Sequence, residues 1–249
     1  MDRVDHRAAA RGEARLTGPG QPEPFTALAR QPDPPLDELA LGIAAAFRAV
    51  DAPGALAMLD GLGAEVAALL AERRSQAGGA EAPPLGPEAE THACVEVLGG
   101  RHGFRGDTER YDDPANSMLD VVLERRLGLP ILLSVVYVEV ARRASVALSG
   151  VGLHGHFVAG HLGVEPPLLI DPFAGGAPIE TEQPAGLVRA WTAHEIALRM
   201  LNNLVASYRR RGDIGAAITA ATMRLELPLD ERLEDTLRQE LRAMRARLN

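Results

Sequence analysis

One cysteine, Cys94, stands in 249 residues, so no disulfide can form within the chain and no zinc site of several thiolates can be built. A reducing compartment, the cytoplasm, is the expected setting. Aromatic residues are also scarce, at 4% against 46% hydrophobic residues in all, so the core must be filled by Leu, Val and Ala, which favours helices. No apolar run approaches the roughly 20 residues that span a bilayer, and Met1-Asp2-Arg3-Val4-Asp5-His6 lacks the apolar centre of a secretion signal. No membrane association is expected. Positive charge is in deficit, 26 basic against 34 acidic residues for a net charge of −8, which repels polyanions and argues against nucleic acid as a partner. The local basic clusters, Arg142-Arg143 and Arg209-Arg210-Arg211, fall at the ends of helical patterns, where cations complement the helix dipole.

Residues 1–35 mix charge with Gly, Pro and Ala and show no periodicity, so a mobile tail is expected there. Helical spacing begins with Leu39, Ile43, Ala46 and Phe47 and resumes with Ala55, Leu59, Leu62, Val66 and Leu69, after a break near Asp51-Ala52-Pro53-Gly54. Gln76 to Pro87 reads as a loop, and Thr91 to Leu98 as a helix in which Cys94 is a core thiol rather than a nucleophile. Asn116 or Ser117 is placed to cap a short helix bearing Met118, Leu119, Val122 and Leu123, with Gly128 as its left-handed stop. Pro130 then suits the first turn of a helix through Ala141 that is apolar nearly all round and should be buried on most sides.

Period two replaces the helical pattern after Arg143. Val151 and Leu153 lead to His156-Phe157-Val158-Ala159, then Gly163 and Pro166-Pro167, then Leu168-Leu169-Ile170-Asp171, which reads as an antiparallel hairpin centred near Gly163-Val164. That register sets His156 opposite Asp171. His154 and His156 would share one strand face and His161 the other, with no acidic residue converging on them, so no metal or cofactor is expected. From Glu195 three amphipathic helices follow, divided at Gly212-Asp213 and Leu227-Pro228.

Several blocks in this order carry a resemblance: Gly103-Phe104-Arg105-Gly106, Tyr111-Asp112-Asp113-Pro114-Ala115-Asn116-Ser117, Leu123 to Ile131, Gly155-His156-Phe157 and Ile170-Asp171-Pro172-Phe173. With Asn203-Leu204, Tyr208 and Arg211-Gly212-Asp213, the chain from residue 36 to 249 resembles the SirB-type branch of the transglutaminase-like proteins. The resemblance implies an α+β fold with a papain/transglutaminase-like core, a buried central helix packed on an antiparallel sheet. Residues 36–90 would form an N-terminal helical region, 91–190 the core, and 191–249 helices similar to tetratricopeptide hairpins.

It also implies a site. The parent chemistry needs a thiolate at a helix N-terminus and a His held by an Asp. His156 and Asp171 match the second and third members, but the nucleophile's place falls at or beside Pro130. Ser134, the nearest hydroxyl, lies about one turn, some 5 to 6 Å, further in, and Glu124 occupies the oxyanion-stabilising position with a charge of the wrong sign. The chain therefore reads as a non-catalytic member whose former cleft, lined by Asn116, Glu124, Pro130, Ser134, Tyr137, His156 and Asp171, binds a peptide or small ligand. The rival is a hydrolase or acyltransferase using Ser134 or a water activated by His156. A protein partner could also dock on the C-terminal helices, and a monomer or weak dimer is expected.

Overall fold

The computed structural model describes residues 23–79, 84–181 and 187–247; residues 1–22 of the expected tail lie outside them. Phe25, Leu28 and Ala29 are buried on a one-turn helix, α1 (Phe25–Leu28), so the tail expected through residue 35 gives way to packed chain by residue 25. Helix α2 (Leu36–Ala45) then leads to α3 (Ala52–Gln76), whose N-cap Asp51 accepts from the Gly54 amide at 3.1 Å. Contrary to the expectation from uninterrupted apolar runs, α3 is long and apolar enough to cross a membrane by length and composition. It buries Ala55, Leu59, Leu62, Val66 and Leu69 at helical spacing, and two of its charged residues pair outside the helix, Asp60 with Arg143 (2.6 Å) and Glu65 with His102 (2.9 Å).

Helix α4 (Pro87–Val95) runs into a π-helical turn, Glu96–Arg101, and a 3-10 turn, Pro114–Ser117, precedes α5 (Leu119–Arg125). The expected cap is corrected here. Asp113, not Asn116 or Ser117, accepts from the Ala115 amide (3.0 Å), and Met118 enters α5 without a side-chain cap. The left-handed stop is Arg126 (φ 59°) rather than Gly128. Gly128 is needed for a different reason: a Cβ there would lie 2.9 Å from the Val122 side chain, in the short parallel pair β1 (Arg105–Gly106) and β2 (Leu127–Gly128).

Helix α6 (Pro130–Arg143) is buried along nearly its whole length between α3 and the four-stranded antiparallel sheet β3 (Leu148–Leu153), β4 (His156–His161), β5 (Leu168–Asp171) and β6 (Ala177–Pro178). At its end Arg143 does more than complement the dipole: it pairs with Asp37 of α2 (2.6 Å), Asp60 of α3 and Glu139 of its own helix (2.8 Å). Alternation along β4 sends Phe157 and Ala159 into the main core, while Val158 joins Val151, Leu153 and Leu169 in a small cluster on the other face. The strand pattern therefore resolves into two hairpins rather than one, because the His154-Gly155 turn already reverses the chain, with Gly155 at φ +73°.

Helices α7 (Ala193–Arg210), α8 (Ile214–Arg224) and α9 (Glu231–Arg245) close the described chain. Helix α7 packs on α2, α6 and the Pro114–Ser117 turn as well as on α8, so it is part of the body of the protein. It starts at Ala193, two residues before the expected Glu195, because Thr192 and Glu195 form a reciprocal capping box: Thr192 Oγ1 accepts from the Glu195 amide (3.2 Å) and Glu195 from the Thr192 amide (2.9 Å).

The Arg189 guanidinium, 2.5 Å from Glu195, and the capping amide hold the Glu195 carboxyl at about 2, below its ordinary 4.5. Folded Glu195 thus binds fewer protons than unfolded between pH 4.5 and 2, so its contribution is complete above 4.5 and is lost as pH falls through 2. Glu195→Gln is expected to cost about 0.5–1 kcal/mol at pH 7, a figure already reduced for solvent screening. In urea melts the gap between variant and wild type should close on acidification across that window.

Candidate functional site

The turn at His154-Gly155 pairs Leu153 with His156 and so starts β4 at the histidine. Strand β5 joins with Ala159 opposite Ile170, Gly160 opposite Leu169 and His161 opposite Leu168, two residues away from the expected register. A two-residue displacement preserves the face, so His156 and Asp171 meet diagonally rather than directly, with Nε2 3.0 Å from Oδ2. His156 is 28% exposed and Asp171 17%. The second carboxylate oxygen of Asp171 accepts from the Phe173 amide (2.9 Å), capping a 3-10 turn at Pro172–Ala174, so the aspartate is fixed by its own backbone before it holds the ring. The two meet at ion-pair distance; a carboxylate only accepts, so a ring proton on Nε2 faces Asp171, and Nδ1, with no protein partner among the described residues, is then the open acceptor.

The first turn of α6 lies alongside this end of β4. Ser134 Oγ is 3.5 Å from the Phe157 carbonyl, one residue beyond His156, and donates to the Pro130 carbonyl one turn back at 2.8 Å. Its single proton is thus committed within the helix, and the side chain is fully buried. Pro130, at the first helical position, has neither a nucleophile nor an amide proton. The remaining thiol is no substitute: burial, then the Glu90 charge, push Cys94 up to about 12.

Three residues expected to line the cleft do not. Tyr137 is fully buried, its oxygen in the slot between Gly99 and Gly176, and burial, then Cys94 and Asp171, raise its phenol above the ordinary value. Asn116 is enclosed and donates to the Arg110 carbonyl (2.7 Å), while its own carbonyl receives the Leu129 amide (3.1 Å). Glu124 is exposed on α5 with no hydrogen bond or ion pair linking it to the His156–Asp171 pair among the described residues. Close packing along α6 and at the turn before α5 encloses the first two, and the outward face of α5 removes the third.

Other residues, invisible as site residues in the sequence, do gather here. Arg199 of α7 donates to the His156 carbonyl (3.3 Å), with its guanidinium 5.6 Å from the Phe157 ring centre and 5.7 Å from that of Trp191. Tyr111, 50% exposed, packs edge-on against Phe173 at 6.0 Å. Its loop is pinned to α7, where Ser207 donates to the Asp112 carbonyl and Arg210 pairs with the Asp112 carboxylate. The histidines do not cluster: His154 sits in the turn and His161 points from the opposite face toward Glu90, at 3.6 Å. Among the described residues no three His, Cys, Asp or Glu side chains converge as a metal site would require.

The pair can accept a hydrogen bond or a proton at Nδ1, but no ionisable nucleophile stands beside it. With a value near 12, about one Cys94 in 10,000 is ionised at pH 8, so iodoacetamide should leave the folded protein unlabelled over hours and alkylate it fully in denaturant. Mass spectrometry of the tryptic peptide checks this; rapid native labelling would show an accessible thiolate.

The profile of the transglutaminase-like superfamily matches residues 54–209. A UPF0162 protein of Xylella fastidiosa is 44% identical over 95 residues, 38% of this chain and 34% of that protein. A UPF0162 protein of Pseudomonas aeruginosa is 33% identical over 132 residues, 53% of this chain and 44% of that protein, and the F-box only protein 21 of Mus musculus is 27% identical over 133 residues, 47% and 21%. Each alignment spans less than half of the relative's own length. No solved structure matches the chain. The profile covers more than half of the sequence, including α6, His156, Asp171 and Arg199, and the chain belongs to the transglutaminase-like superfamily.

Proposed function

We propose that this protein is a non-catalytic, SirB-type member of the superfamily that uses the cleft around His156 and Asp171 to bind a peptide or small ligand. The observation that carries the reading is the start of α6. Where acyl transfer would need a thiolate stabilised by free helix amides, the chain has Pro130, and the nearest hydroxyl, Ser134, is buried and donates into its own helix. The His–Asp pair then serves as a fixed acceptor. Its ring is oriented by Asp171, Asp171 by the Phe173 amide, and Nδ1 is left for a ligand donor.

A partner protein docking on the C-terminal helices is the companion proposal. Much of the apolar face of α7, including Ile196, Met200 and Leu204, is already buried in the body, which favours the cleft as the place of binding. The free Nδ1 also supports a second reading, a hydrolase in which His156 activates water. The two separate on a panel of amide, ester and glutaminyl substrates. The binding reading expects no turnover above background in wild type and no change in His156→Ala. Turnover that falls about 100- to 10,000-fold in His156→Ala, the usual worth of a general base, would replace it with the hydrolase.

A further inference from the structure

Arg199 is held in an unusual state for this molecule. Other buried or half-buried arginines are met by acidic side chains: Arg143 by Asp37, Asp60 and Glu139, Arg224 by Glu240 (2.8 Å), Arg125 by Asp107 (3.1 Å) and Arg73 by Glu96 (2.6 Å). Arg199 is half-buried and has no carboxylate partner among the described residues, in a chain where acidic residues outnumber basic ones 34 to 26. Of its five N–H donors, one hydrogen bond is formed, to the His156 carbonyl. The rings of Phe157 and Trp191 lie 5.6 and 5.7 Å from the guanidinium carbon and cover part of it, and burial lowers its pKa from the ordinary value. An arginine does not give up its proton to relieve that cost, so an anion is the missing counterpart.

We propose that Arg199 is the anchor for a carboxylate on the ligand that enters beside His156, with the exposed Tyr111 at the rim of the same site. The inference rests on the binding reading above and names the chemistry of what is bound. A planar carboxylate matches the guanidinium fork with two parallel hydrogen bonds. A singly charged group suits the surroundings better than a dianion: one cation is offered, and Pro130 removes an amide from the α6 N-terminus. Chain termini and acidic side chains both supply this group.

Trp191 is the sole tryptophan and touches the guanidinium, so its fluorescence reports on the site directly. The full chain is titrated with N-acetylglycine (a terminal carboxylate), N-acetylglutamic acid α-amide (a side-chain carboxylate) and N-acetylglutamine amide (no charge). At least one carboxylate is expected to give a saturable change, at least about tenfold tighter than the neutral amide, the worth of a charge-assisted hydrogen-bond pair. Which of the two does so identifies the source. Arg199→Gln should abolish that preference, and Arg199→Lys, which keeps the charge and loses the fork, should weaken it severalfold while retaining it. Equal response to all three compounds, no response to any, or an unchanged preference in folded Arg199→Gln would overturn the proposal. The wild-type comparison decides without any variant, should Arg199→Gln fail to fold. Turnover dependent on His156 would remove the non-catalytic reading and leave the carboxylate preference standing, so the two failures are distinct.

Discussion

Helix α6 is enclosed by α3 on one side and by β3 and β4 on the other, and that enclosure governs what its residues can do. A polar group on such a helix must find a partner inside the protein or cost about 1–3 kcal/mol. Ser134 meets the demand with the Pro130 carbonyl, and Glu139 with Arg142 and Arg143. Burial still raises the Glu139 carboxyl above its ordinary value, with Asp37 adding to the effect, and the paired arginines offset part of it. Tyr137 is the exception: its oxygen has no hydrogen-bond partner among the described residues and fills a slot that a side chain at Gly99 or Gly176 would close.

The His156–Asp171 pair is built by a different constraint, the alternation of a strand. His156 follows a two-residue turn and Asp171 ends the neighbouring strand, so the sheet brings a ring and a carboxylate to one face at its end. Helix α7 completes that end from the outside. It supplies Arg199 to the backbone of His156 and, through Ser207 and Arg210, anchors the loop that carries Tyr111. Helix α7 therefore braces the end of the sheet that carries the pair as well as supporting the core.

Much of this was legible in the sequence because it rests on periodicity. A helix apolar all round after Pro130 has only one place to go, and period two fixes which residues of β4 and β5 share a face. The register itself was not legible, since a two-residue displacement leaves the parity of His156 and Asp171 unchanged and the connection at 162–167 does not dictate it. Gly155 signals the two-residue turn and the Thr192-Glu195 spacing a helix start, but both are local features that the strand and helix periods do not carry. Arg199 gave no local signal. An arginine in an amphipathic helix reads as a solvated face, and only the tertiary arrangement shows that it is flanked by two rings and left without an acid.

The most direct test is the tautomer of His156, read from long-range proton–nitrogen spectra of protein labelled in its imidazole nitrogens. With Asp171 holding Nε2, the ring should be protonated at Nε2, with Nδ1 showing the shift of a free lone pair, and Asp171→Ala should return it to the mixture of a solvated histidine. A ring protonated at Nδ1, or a tautomer indifferent to Asp171→Ala, would contradict the account.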